Sequence, residues 1–199
     1  MKKVSIIGAT GYAGAELLRI LHNHPEAEVV HITSESHAGE AISDIYPHLK
    51  GIYDQKLMSM KDIETIGQDS DFVFIGLPHG HAMKVGKALE NMPTRIIDLG
   101  ADYRFNDTDI YEAWYKVPHT HKDAPRVYGL AELNREQIKD AKIIGNAGCY
   151  TTASILALAP LAKHHLIDVN TIIIDAKSGV SGAGRSAKQA NHFPELYDS

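Results

Sequence analysis

The tightest constraint on this chain is a strand, a glycine turn and a helix, set one after another within residues 3–22. Lys3-Val4-Ser5-Ile6-Ile7 is an apolar, β-rich run. It leads straight into Gly8-Ala9-Thr10-Gly11-Tyr12-Ala13-Gly14, after which Leu17, Leu18 and Leu21 fall at helical spacing. The glycines let the main chain approach a pyrophosphate, and the N-terminus of the following helix supplies free N–H donors. Such a corner binds phosphate in doubly wound α/β sheets. The spacing is Gly-x-x-Gly-x-x-Gly rather than Gly-x-Gly-x-x-Gly. A glycine triplet alone is a weak signal, and its place between a strand and a helix makes it specific.

The later pattern agrees with that class. Residues 28–34, 71–75, 95–99 and 141–144 are short apolar runs that read as strands. Helical stretches are expected at residues 62–66, 82–90 and 135–140, and Pro25 closes the first helix. The expected fold is α/β: a doubly wound, mostly parallel sheet, followed by the start of an incomplete α+β domain. A strand over residues 171–176 would open that second unit. Residues 106–125, with Tyr111, Trp114 and Tyr115, read as a polar and aromatic excursion from the sheet.

Ligands of open α/β sheets lie beyond the carboxyl ends of the strands, so the loops there carry the candidate chemistry. Thr33-Ser34-Glu35 ends the second strand, beside the adenosine ribose. Small hydroxyls favour the 2′-phosphate of NADP and an acidic residue favours the 2′-hydroxyl of NAD, so the signal is mixed. Gly76-Leu77-Pro78-His79-Gly80-His81 is a tight loop after the third strand. Arg104 follows the fourth and suits a bidentate contact with carboxylate or phosphate, or a salt bridge to Asp102 or Asp107. Ser178-Gly179-Val180-Ser181-Gly182-Ala183-Gly184-Arg185 is a second glycine-rich loop, fit for an anion or serving as a linker. His79 with His81, and His119 with His121, lack a third ligand nearby, so no metal is expected.

The only cysteine of the 199 residues is Cys149, in Gly145-Asn146-Ala147-Gly148-Cys149-Tyr150-Thr151-Thr152. It stands where a strand turns into an apolar helix, with Pro160 expected to kink or stop that helix near Ala159. Free N–H groups at a helix N-terminus favour negative charge, the form in which a cysteine reacts. Thr151 and Thr152 suit a first turn, where a hydroxyl takes up a free N–H. A buried structural cysteine is the other reading, and this window alone leaves both open.

Several partner classes are disfavoured by composition. A formal charge of −5 with no basic block argues against nucleic acid. No apolar run reaches the ~18 residues of a membrane span. Met1-Lys2-Lys3 runs into a strand rather than a signal-peptide core, and one cysteine forms no internal disulfide, which together fit the cytoplasm.

Taken together these segments resemble N-acetyl-γ-glutamyl-phosphate reductase, an arginine-pathway enzyme family related to aspartate-semialdehyde dehydrogenase. The resemblance rests on Gly8 to Gly14, Gly76 to Gly80, Asp98 to Phe105, Val127-Tyr128-Gly129-Leu130 with Glu132-Leu133-Asn134, Asn146 to Pro160, and Ser178 to Arg185. Ala147 and Ala131 stand where that family commonly has proline, and Glu35 where many relatives have arginine. The resemblance implies NADPH-dependent reduction of an acyl phosphate through a thioester on Cys149. It implies cofactor contacts from Gly8, Thr10, Gly11, Tyr12, Ala13, Gly14, Ser34, Leu77, Pro78, His79, Ser181 and Gly182, with NAD open because of Glu35. Arg104, Asn146, Ser178 and Arg185 are the implied substrate contacts. It divides the chain into a nucleotide-binding domain (1–148) and the start of a catalytic domain (149–199), and implies a homo-oligomer at full length. The family's catalytic histidine falls beyond Ser199, and His192 does not match its motif. Residues 1–199 are therefore expected to bind nucleotide without reducing substrate at a useful rate. Aspartate-semialdehyde dehydrogenase or another acyl-phosphate reductase is the rival enzyme, and a non-catalytic NADP-binding fragment the rival of another class.

Overall fold

The computed structural model describes residues 1–186 and 188–196. Six strands form one sheet: β1 (Lys2–Ile7), β2 (Ala27–Thr33), β3 (Phe72–Ile75), β4 (Arg95–Asp98), β5 (Arg126–Gly129) and β6 (Ile143–Asn146). Their order is β2-β1-β3-β4-β6-β5, and every pairing is parallel. The order reverses between β1 and β3, so a crevice opens beyond their carboxyl ends.

Alternation along β1 explains the layers. Val4 and Ile6 pack with Leu18 and Leu21 of α1 (Tyr12–His22), and with Ile42 of α2 (Ile42–Ile45), Leu49 and Leu57. Ile7 belongs to the other core, with Ile66 of α3 (Ile63–Asp69), Val85 and Leu89 of α4 (Ala82–Leu89), Val73, Ile75 and Ile96. A parallel sheet covered on both faces is the layered architecture expected of alternating strands and helices.

Several expected elements differ. The excursion holds a helix, α5 (Thr108–Tyr115), capped by Asp107, whose side chain accepts from the N–H groups of Asp109 and Ile110. The helix expected over residues 135–140 is the second part of α6 (Ala131–Asp140), which breaks at Asn134 (φ −117, ψ 23), and strand β5 precedes it at the sheet edge. Tyr12, Ala13 and Gly14 form the first turn of α1 rather than part of the loop before it.

The last helix, α7 (Cys149–Lys163), runs through Pro160 instead of stopping near Ala159. Pro160 has no N–H to give the Leu156 carbonyl, and the helix continues for only three residues beyond it. None of its residues is fully buried, against the expected buried helix, although Ile155, Leu156 and Leu158 are half-buried. The strand expected at residues 171–176 is absent as well. Val169–Thr171 is a 3-10 turn and Ile173 is 92% exposed. A strand's N–H and C=O groups need a neighbouring strand, and none is offered here among the described residues.

Candidate active site

Two loops meet at the crevice. Gly8, at the end of β1, has φ +82, and a Cβ there would stand 2.5 Å from the carbonyl oxygen of Gly76 at the end of β3. Only glycine fits both that φ and that gap. Gly11 is the N-cap of α1 and no side chain bonds the free N–H groups behind it. A Cβ on Gly11 would meet only the Gly8 oxygen, at 3.5 Å, so the space above the helix end is open. Uncapped donors beneath open space fit the pyrophosphate of a dinucleotide.

The turn between β1 and α1 meets the end of β2 through hydroxyls. Thr10 Oγ1 and Ser34 Oγ are 2.9 Å apart, and the amide of Gly8 donates to Thr33 Oγ1 at 3.3 Å. Glu35 is not the free loop charge its position suggests. Its Oε2 accepts the amide of Met60 at 3.2 Å, at the start of the 3-10 turn Met60–Asp62 that Ser59 caps. Arg185, an implied substrate contact, reaches this side instead: Nη1 donates to Thr10 O at 3.5 Å and the guanidinium lies over the Tyr46 ring at 5.4 Å. Ser181 and Gly182 sit in an exposed 3-10 turn, Val180–Ala183, and Ser178 bonds its neighbour Gly179.

The loop after β3 carries Leu77, Pro78 and His79, and Asp102 anchors its end. One Asp102 oxygen accepts from Gly80 N at 2.8 Å and Tyr111 Oη at 2.8 Å, and the other from Ala82 N at 2.9 Å. Asp98, at the end of β4, accepts from the amides of Gly100 and Tyr103. Burial pushes its carboxyl up to about 6, against the pull of those two amides.

The cysteine turn lies beyond β6. Cys149 is a free, exposed thiol at the first residue of α7, with Gly148 as N-cap. No side chain caps that helix. Thr151 does not take up a free N–H as expected; its hydroxyl donates to the Gly148 carbonyl at 2.9 Å and meets Tyr128 Oη at 3.3 Å. The first-turn N–H groups therefore stay available to an incoming anion. Exposure of Cys149 also removes the buried structural reading.

Arg104 supplies the charge beside this turn. Nε donates to Asn146 O at 2.9 Å, Nη2 to Leu99 O at 3.4 Å, and Nη1 to Tyr115 Oη at 3.3 Å. Nη1 lies 3.1 Å from where a Cβ on Gly148 would stand. The alternative, a salt bridge to Asp102 or Asp107, does not form. Asn146 takes part through its main-chain oxygen, while its amide bonds Ala147 O at 3.3 Å.

The second histidine pair has other partners. His121 bonds Tyr103 Oη at 2.8 Å and Glu90 at 2.7 Å, and His119 bonds Asp102 O at 2.8 Å. Burial holds the His119 ring below the ordinary histidine value, which disfavours its charged form. No three of His, Cys, Asp and Glu converge among the described residues. Asp98, Asp102 and Tyr115 escaped sequence reading. Two acids just after a strand, on the ligand side of the sheet, were the signal available for the first two.

This architecture is that of a dinucleotide-binding domain with an exposed cysteine turn beyond β6, the penultimate strand of the sheet. Residues 3–141 match the NAD-binding domain of semialdehyde dehydrogenases, and the chain belongs to that family. Residues 149–199 match the semialdehyde dehydrogenase dimerisation domain. A protein of Pelotomaculum thermopropionicum named N-acetyl-gamma-glutamyl-phosphate reductase is 51% identical over 199 residues, 99% of this chain and 57% of that protein. One of the same name from Methanococcus maripaludis is 46% identical, over 100% and 58% respectively. The chain thus spans little more than half the length of these curated relatives. Among solved structures, aspartate semialdehyde dehydrogenase with NADP from Candida albicans superposes with a TM-score of 0.60 at 21% identity, covering 82% of this chain and 47% of that one. The Vibrio cholerae aspartate semialdehyde dehydrogenase II complex with ASA gives 0.59 at 18%, over 82% and 47%. At these identities the structures speak for the fold alone. No helix among the described residues is long and apolar enough to cross a membrane.

Proposed function

We propose that the protein to which this chain belongs reduces N-acetyl-γ-glutamyl phosphate to N-acetylglutamate semialdehyde, in the cytoplasm, as a homo-oligomer that uses NADPH. The observation that supports this most is the exposed Cys149 at an uncapped helix N-terminus with the Arg104 guanidinium against its N-cap. The substrate is taken from the name shared by relatives about half identical to this chain.

Cys149 Sγ attacks the acyl carbon of the acyl phosphate. The bond from that carbon to the phosphate oxygen breaks, phosphate leaves with its electron pair, and the acyl group remains as a thioester. The first-turn N–H groups of α7 and the Arg104 guanidinium offset the negative charge that gathers there. Gly8, Thr10, Gly11, Tyr12, Ala13, Gly14, Ser34, Leu77, Pro78, His79, Ser181 and Gly182 would hold the dinucleotide, which when bound supplies the hydride that reduces the thioester carbonyl. The resulting thiohemiacetal collapses, releasing the aldehyde and returning the electron pair to Sγ. Arg104, Asn146, Ser178 and Arg185 are the substrate-side candidates, Arg185 lying nearest the glycine turn. NADP rather than NAD is favoured because Thr10 and Ser34 offer hydroxyls while Glu35 is engaged by Met60.

The test is acylation of Cys149. Incubation with N-acetylglutamyl phosphate is expected to add one N-acetylglutamyl group, detected by mass spectrometry and absent in Cys149→Ser. Aspartyl phosphate in parallel is expected to add nothing; preferential acylation by it would move the assignment to the aspartate-semialdehyde dehydrogenases.

A further inference from the structure

Helix α5 packs against Met83 of α4 through Tyr111. It ends on Tyr115, a half-buried side chain that touches both halves of the site. Its ring meets the His79 ring edge-on, with 5.0 Å between centroids, and stacks on Tyr111 at 5.0 Å. Its hydroxyl oxygen accepts from Arg104 Nη1. His79 belongs to the loop after β3, on the dinucleotide side, and Arg104 to the cysteine side.

We propose that Tyr115 is a positioning residue that holds the Arg104 guanidinium against the Gly148-Cys149 turn and ties that turn to the His79 loop. The proposal rests on the reading of Cys149 as nucleophile in the reduction proposed above. Arg104 has three anchors, and two are main-chain carbonyls that hold Nε and Nη2. The Tyr115 hydroxyl is the anchor of Nη1, the nitrogen nearest Gly148. Without it, Nη1 loses a polar partner on the turn side and the guanidinium is freer to tilt toward solvent. No carboxylate forms a salt bridge with Arg104 among the described residues, although Asp98 lies near enough to feel its charge, so the guanidinium can still meet an anion arriving beside Cys149. Tyr111, which stacks on Tyr115, donates to Asp102, and Asp102 holds Gly80 and Ala82. One aromatic pair thus braces both loops.

The experiment compares alkylation of Cys149 by iodoacetate, an anion, and iodoacetamide, which is neutral and nearly the same shape. The ratio of their rates reports positive charge at the turn and is unmoved by a general change in exposure of the thiol. It needs neither substrate nor nucleotide, so its failure is separate from failure of the proposed reduction. Tyr115→Phe keeps the ring and is expected to lower the ratio by about threefold. Arg104→Gln is expected to lower it at least as far, and adding Tyr115→Phe to Arg104→Gln to lower it no further. In NADPH titrations Tyr115→Phe is expected to bind within about twofold of the parent, while Tyr115→Leu, which loses the ring against His79, binds more weakly. An unchanged ratio in Tyr115→Phe would overturn the proposal. So would an equal drop from Tyr115→Phe with Arg104 present or replaced, or NADPH binding by the parent that the Phe and Leu variants both retain in full.

Discussion

The carbonyl oxygen of Gly76 stands 2.5 Å from the place a Cβ on Gly8 would occupy, so the two strands flanking the crevice meet main chain to main chain. Gly8→Ala must therefore displace β3 or the turn, and adopt φ +82 as well. The expected loss is about 2–4 kcal/mol of stability, read by urea unfolding, together with NADPH binding. Gly11→Ala separates the two effects. Its Cβ meets nothing closer than 3.5 Å, so the fold is retained while the methyl intrudes where the pyrophosphate would lie. Equal stability of the Gly8 and Gly11 variants would contradict this account of the turn.

Replacing Glu35 with arginine is expected to tighten NADPH binding and to leave NADH nearly unchanged. The new guanidinium would face a 2′-phosphate, which NADH lacks. The change also removes the acceptor for Met60 N–H, at a cost of about 1 kcal/mol in stability. Fluorescence titration with both nucleotides, beside a thermal melt, reads the two effects apart. A matched gain for NADH would place residue 35 away from the ribose.

Asp98 makes stability depend on pH with a definite sign. Its folded carboxyl lies at about 6, above the model-peptide value of 3.8. Between those values the unfolded chain has released a proton that the folded chain keeps. The folded state binds more protons, so Asp98's contribution falls as pH rises through that window, by ~3 kcal/mol in all. Asp98→Asn carries no such charge. The stability of the variant relative to the parent is expected to rise between about pH 4 and about pH 7, measured by urea unfolding at each. A constant difference would mean that Asp98 is better solvated than its burial implies.

The first half of the chain was easier to read than the second for a physical reason. β1, the glycine turn and α1 show a local apolar run, a local turn and a local helical repeat, and each is stable in register with its neighbours. β5 did not show, because Arg126-Val127-Tyr128-Gly129 is four residues long at a sheet edge and begins with a charge. α5 was obscured by three aromatic residues of modest helix propensity, although Asp107 stood in place as its cap. Residues 171–176 carry an unmistakable strand composition, yet composition supplies no partner. In the site, Cys149 and Arg104 were legible from residue type and position. The braces around them were not, since Asp102 to Gly80 and Tyr115 to Arg104 are pairings set by tertiary packing, which leave no periodic trace.

Asp102 offers the sharpest test of that hidden bracing. Its carboxylate receives three donors: the amides of Gly80 and Ala82 and the hydroxyl of Tyr111. The side chain is 1% exposed, so no water replaces a lost acceptor. Asparagine keeps one oxygen and turns an NH2 group toward the remaining donor or donors, leaving at least one buried N–H or O–H unpaired. Such a group costs about 1–3 kcal/mol. Asp102→Asn is therefore expected to be destabilised by about 2 kcal/mol and to bind NADPH more weakly, because the loop carrying His79 loses its anchor. Tyr111→Phe removes the hydroxyl alone and leaves both amide contacts, so it is expected to cost less stability and little affinity. Thermal unfolding and NADPH titration of the two variants decide the matter. If Tyr111→Phe proved as damaging to NADPH binding as Asp102→Asn, the hydroxyl rather than the two amide contacts would be what fixes the loop.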